Sequence, residues 1–164
     1  MGLLLFYLLL ALSVSFLCSI LESVLLSTPN TYLKAQQNEG VSYAITMLEL
    51  KKKIDQPLSA ILSLNTIAHT IGAAGVGAQA IKLFGEAYFG VVSAVLTFLI
   101  LVITEIIPKT LGARYWKKLT SFTTTTIRYL IILTYPLVLL SNRVSDFFSA
   151  EHPEGTVSRA EMQA

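Results

Sequence analysis

Long apolar runs alternate with short polar segments along this chain, and the lengths of the runs predict the elements. The first run, Gly2 to Leu26, carries Glu22 as its only charge. A helix crosses a bilayer core with about 20 apolar residues, so this run suffices. It closes at Ser27-Thr28-Pro29-Asn30, a cluster of turn formers around a proline. No basic segment precedes it, and its apolar core exceeds the roughly 7–15 residues of a signal peptide, so a retained helix is expected. Tyr32 to Ile54 is polar instead, with Lys34, Glu39, Glu49 and Lys51-Lys52-Lys53 interleaved with Leu, Ile and Met. That pattern predicts one or two short amphipathic helices at the membrane surface, broken near Asn38-Glu39-Gly40.

The second span is predicted over Leu58 to Ile81, inside a stretch from Pro57 to Ile81 with no Asp, Glu, Lys or Arg. Its glycines allow a kink or a re-entrant course where protein covers the backbone. A short turn, Lys82 to Tyr88, leads to a third span over Phe89 to Ile107. Ser121 to Phe148 is a further helical candidate, but its charge-free stretch, Tyr129 to Asn142, is only 14 residues long. Segments of that length lie in the interface or are buried more often than they span. A juxtamembrane belt helix is expected, kinked at Pro136, with Tyr129 and Tyr135 near the headgroups. A true fourth span is the alternative. The fold class is therefore an all-α membrane protein with three transmembrane helices, short cytoplasmic amphipathic helices and a kinked belt. Residues 1–148 form the membrane domain and 149–164 a polar linker, in which His152 is an exposed residue.

Lysines and arginines follow the first and third spans, at Lys51 to Lys53 and again at Lys109, Arg114, Lys117 and Lys118. By the positive-inside bias both clusters are cytoplasmic, which puts the N-terminus outside and the C-terminus inside; the expected location is the cell (inner) membrane. Three crossings satisfy both clusters; four do not. Composition agrees, with 54% hydrophobic residues, 13% charged and a mean hydropathy of +0.66, against about 25% charged in soluble domains. The net charge of +2 is too small to argue for nucleic acid. The single cysteine, Cys18, excludes a disulfide framework within the chain and reads as a small packing residue.

Polar residues inside the spans carry the candidate chemistry. Ser15, Ser19 and Ser23 recur every four residues with Glu22 beside them, a neighbourhood of hydroxyls that suits a hard cation unless Glu22 simply reaches the interface. Asn65, His69 and Gly72 share one face of the second span, a face expected to meet protein rather than lipid, with the other spans gathered round it. In Thr104-Glu105-Ile106-Ile107-Pro108-Lys109, a helix continuing through Pro108 leaves the Thr104 carbonyl without its donor, next to the Glu105 carboxylate. Carboxylate plus free carbonyl is what Mg²⁺ or Ca²⁺ asks for, whereas Zn²⁺ prefers His and Cys. The other reading ends the helix at Pro108 and pairs Glu105 with Lys109. No P-loop, GxGxxG, HExxH or nucleophile elbow occurs, and no soluble catalytic domain fits, so no enzyme is expected.

Ser19-x-x-Glu22-Ser23 in the first span, Asn65-Thr66-x-x-His69 in the second and Glu105-Ile-x-Pro108-Lys109 in the third together resemble the transmembrane domain of the CNNM (cyclin M) and CorC magnesium transporter family. The resemblance covers about Gly2 to Phe148, and its last motif is the most specific. It implies a homodimer of three-span domains, followed by paired cytoplasmic CBS modules and engaged in Na⁺-coupled Mg²⁺ export. It further implies that Ser19, Ser23, Asn65 and Glu105 surround a partly dehydrated cation, with Pro108 shaping the backbone. Thr104 is added as a carbonyl ligand and His69 as a candidate ligand, while Glu22, Gly72, Lys109 and Gly112 are structural or gating candidates. His69 departs from the family pattern, which often has a second asparagine there. A neutral imidazole is a poor Mg²⁺ ligand, so a packing histidine, an outer-sphere group, altered ion choice and pH sensitivity all remain open. The contrasting function is a sensor or scaffold whose polar residues serve only helix–helix hydrogen bonds.

Overall fold

A computed structural model describes residues 1–136 and 139. Helix α1 (Gly2–Ser27) ends where Thr28 turns extended (φ −72°, ψ 116°), as the residue before a proline is driven to do. The polar segment forms two short helices, α2 (Asn30–Asn38) and α3 (Ser42–Lys52), separated at Gly40, whose φ of +79° suits glycine. Lys51 reaches back to donate to the carbonyls of Leu25 and Thr28, capping the end of α1, and burial pulls its ammonium below the ordinary lysine range. Tyr32 stacks edge-on against Trp116, with centroids 5.0 Å apart, and its hydroxyl lies 3.1 Å from that of Tyr43.

Helix α4 (Asp55–Phe84) is one unbroken α-helix. The kink or re-entrant course that its glycines allow is not used, because the glycines serve packing instead. A Cβ on Gly72 would collide with that of Ala11, and one on Gly75 would enter the ring of Tyr7. The absent side chains let α1 lie directly on α4.

The irregularity sits in the third span. Helix α5 (Phe89–Leu99) passes into a π-helical segment, Ile100–Ile106, and then into α6 (Ile107–Leu133). Within the π segment the Ile107 N–H bonds the Val102 carbonyl, five residues back. The next amide belongs to Pro108 and has no hydrogen, so the wide register cannot propagate. From Glu86 to Leu133 is 48 residues, more than twice the roughly 20 needed to cross the core. A non-helical Tyr115 (φ −107°, ψ 17°) bends the chain and divides the span from the belt.

The belt therefore begins at Trp116, earlier than the Ser121 expected from sequence. It buries Thr120, Thr123, Thr124, Ile127 and Leu130, while Phe122, Tyr129, Ile132 and Leu133 face outward. Helix α6 is interrupted at Thr134 (φ −97°, ψ 14°), two residues ahead of Pro136, the position at which the sequence predicts a kink. Residues 137–138 and 140–164, which take in most of the expected belt beyond Pro136, the expected linker and His152, lie outside the described residues.

Among the described residues three helices are long and apolar enough to cross a membrane, and no strand occurs. Exposed apolar side chains, among them Phe6, Leu9, Ile67, Ile71, Val95 and Phe98, coat their outer faces as a lipid-facing surface requires. The protein is an all-α integral membrane protein. One expectation is corrected: the hub is α1, not α4. Helix α1 packs on α4, on the π segment and on α6, whereas α4 meets the third span less extensively. Small buried residues explain the centrality, since Ala11, Ser15, Cys18, Ser19 and Ser23 line two sides of α1 and let helices approach on both.

Candidate functional site

Helices α1 and α4 run antiparallel, and three levels of contact form a polar seam between them and the third span. At the level nearest the N-terminus of α1, Ser15 Oγ and His69 Nε2 are 2.6 Å apart. One turn further along α1, at the level of Asn65, Ser19 is 1% exposed and its Oγ has no hydrogen-bond partner. Asn65 Nδ2 lies 3.4 Å from Glu105 Oε1, and Asn65 Oδ1 is likewise buried and unpartnered. At the third level Ser23 Oγ donates to the Lys109 carbonyl at 2.6 Å. Gly112 makes that approach possible, because a Cβ there would stand 2.8 Å from Ser23 Cβ and 3.1 Å from the Ile20 carbonyl.

Ten residues separate Asn65 from the start of the 30-residue α4, about 15 Å at 1.5 Å per residue, which places it well inside the helix. The Glu105 carboxylate thus meets Asn65 within the length of α4 and not at its end. Its second oxygen, Oε2, lies 3.1 Å from Lys109 Nζ, which also reaches Glu22 Oε2 at 3.5 Å. Two carboxylates against one ammonium leave a net negative charge at the seam.

Buried polar atoms nearly always find partners, so an orphan needs a reason. Three side-chain atoms are orphaned among the described residues: Ser19 Oγ, Asn65 Oδ1 and, in the belt, Thr123 Oγ1. Two of the three are seam oxygens at the level of a carboxylate. Hydroxyl, amide and carboxylate oxygens are ligands for hard cations. Among the described residues no three His, Cys, Asp or Glu side chains come together in a way that could hold a metal.

The candidates divide accordingly. Ser19, Asn65 and Glu105 share one level; Ser23, Lys109 and Gly112 form the next; Glu22 joins through Lys109. Thr104 is fully buried, but its hydroxyl donates to the Ile100 carbonyl at 2.8 Å, which leaves its own carbonyl as the atom to offer. Pro108 terminates the π segment and Gly72 seats α1 on α4. His69 is not brought to Glu105; it meets Ser15, one turn away. Sequence reasoning left Ser15 out of the site, although its place in the four-residue serine period was the available signal. It also paired Lys109 with Glu105 alone, since no local pattern joins Lys109 to Glu22 in another helix.

Fold and seam together define a polytopic membrane protein whose three spans meet along a seam of polar side chains. The family described as "Cyclin M transmembrane N-terminal domain" (CNNM) matches residues 4–164, and the chain belongs to it. It is 31% identical over 147 residues to the UPF0053 protein sll1254 of Synechocystis, covering 90% of this chain and 42% of that protein. A UPF0053 protein of Haemophilus influenzae is 34% identical over 111 residues, 68% of this chain and 26% of the relative. The UPF0053 inner membrane protein YfjD of Escherichia coli is 31% identical over 119 residues, 72% and 28% respectively. The chain thus spans less than half the length of these relatives.

Proposed function

We propose that this domain carries Mg²⁺ across the cell membrane, as a Na⁺-coupled exporter working by alternating access. The observation that carries the reading is the pair of buried, unpartnered oxygens, Ser19 Oγ and Asn65 Oδ1, at the level of the Glu105 carboxylate. Mg²⁺ is the cargo. Without a cation the Asn65 amide offers N–H to the carboxylate. A half-turn about its last torsion brings the carbonyl oxygen round to face a cation held between them. Ser19 and Ser23 keep lone pairs for the same ion, and retained water completes the octahedron that Mg²⁺ demands. The π segment and the bend at Tyr115 are the places where the third span can flex to expose the seam alternately to each side. Family membership supports a role tied to metal-ion transport. In this reading the N-terminus faces outward, two copies form a homodimer, and the linker leads to cytoplasmic CBS modules.

Replacing Glu105 with Gln tests the assignment. The expected result is a loss of Mg²⁺ binding by at least about 100-fold, the upper end for removing a group that supports a metal site, with the fold intact in detergent. Retained affinity removes Glu105 from the site. The second reading, a non-transporting sensor or scaffold, draws on the satisfied contacts Ser15–His69 and Ser23–Lys109, which serve helix packing equally well. Mg²⁺ flux in proteoliposomes separates the two, since a scaffold passes none.

A further inference from the structure

We propose that Lys109 is a tethered counter-ion that competes with the transported cation for Glu105, so that loading the site means exchanging one positive charge for another. The inference rests on the reading of Glu105 as a cation ligand and adds to it how occupancy is controlled.

Both oxygens of Glu105 are engaged, Oε1 by the Asn65 amide and Oε2 by Lys109 Nζ at 3.1 Å. A cation approaching the carboxylate meets two different obstacles. The amide needs only to turn, because its carbonyl oxygen is the unpartnered atom and becomes a ligand when it does. The ammonium has no such option, since it can only donate and repels any cation beside it. It has to leave Oε2.

It also has somewhere to go. Glu22, on α1, holds the same nitrogen at 3.5 Å, so Lys109 can give up Glu105 without being left unpaired. A cavity of about 170 Å³, lined by Glu22, Ser23, Leu26, Ser27 and Lys109, opens beside that second partner. The Lys109 side chain is 47% exposed and its two carboxylate partners are nearly alike, Glu22 at 23% and Glu105 at 26%, so neither holds the ammonium in a markedly drier place. Charge drives the exchange toward Glu22. With the ammonium in place the three side chains carry one net negative charge, and adding a divalent ion turns the sum positive, which favours the ammonium moving away from Glu105. Return of Lys109 to Glu105 neutralises the carboxylate when the ion departs, a step that opposes rebinding.

The full chain in detergent, titrated with Mg²⁺ alone, tests this with three substitutions. Lys109→Gln is expected to tighten Mg²⁺ binding about tenfold, within the usual range for coupled sites. Lys109→Arg keeps the charge and the ion pair but grips a carboxylate bidentately, so it is expected to weaken binding several-fold. Arg114→Gln removes a neighbouring positive charge with no bond to Glu105 and is expected to leave affinity within about twofold. Unchanged or weaker binding in Lys109→Gln overturns the proposal, because a lysine that merely braces two helices would give that result. Wild-type affinity in Lys109→Arg also overturns it, by reducing Lys109 to diffuse charge, and this variant keeps the test available if Lys109→Gln does not fold. Failure of the underlying reading looks different: Glu105→Gln then binds Mg²⁺ as the wild type does, whatever Lys109 is.

Discussion

Two sides of α1 are packed in opposite ways. On one, Cys18, Leu21 and Leu25 meet Leu33, Ala44, Met47, Ala60, Ile61 and Ile127 in a closed apolar cluster. On the other, Ser15, Ser19 and Ser23 face His69, Asn65 and Lys109, with two oxygens lacking any partner. The apolar side joins α1 to the surface helices, the belt and the first part of α4, near the lysine-rich end. The polar side joins it to the other spans, and an unmet hydrogen bond buried there is costly. One side is therefore saturated with apolar contacts while the other keeps oxygens with unmet hydrogen-bonding capacity.

Damage to the two sides is expected to read out differently. The largest effect on stability comes from Leu21→Ala, at a fully buried position; the loss is about 2–5 kcal/mol. Thermal unfolding in detergent measures it, and Mg²⁺ affinity stays within about twofold if the two sides are independent. Gly112→Ala comes next, because its Cβ would press on Ser23 and the Ile20 carbonyl. Such overpacking costs about 1–3 kcal/mol. It falls on the polar side, so flux in proteoliposomes drops along with melting temperature. Ser15→Ala is the mildest, removing one interhelical hydrogen bond worth about 0.6 kcal/mol. Mg²⁺ affinity in that variant remains near wild type, which sharpens the boundary between the cation level and the His69 level.

Much of this arrangement was legible in the chain because the membrane constrains it so tightly. Run length gave the three spans, and the break at Gly40 separated α2 from α3 as expected. The period-four serines and the Asn65–His69–Gly72 face anticipated which surfaces meet protein. Other features depend on partners that no local pattern specifies. The glycines of α4 read as a hinge until Ala11 and Tyr7 are seen resting on two of them. The belt starts at Trp116 because Tyr115 departs from helix there and Tyr32, distant in sequence, stacks on Trp116. The hub fell to α1 for a similar reason: its small residues admit neighbours on two sides, a property of surfaces rather than of hydropathy. The motif around Glu105 pointed correctly to an irregular backbone, but only the fold brings Glu22 to Lys109.

The central claim is that oxygens from all three spans enclose one cation at the level of Glu105. Crystals of the full chain grown with Mn²⁺ in place of Mg²⁺ would test it through anomalous scattering. The account predicts a peak within bonding distance of the Glu105 carboxylate, Ser19 Oγ and Asn65 Oδ1, with the Asn65 amide turned and Lys109 withdrawn to Glu22. A peak confined to the surface near Glu22, with the Asn65–Glu105 hydrogen bond intact, would contradict it.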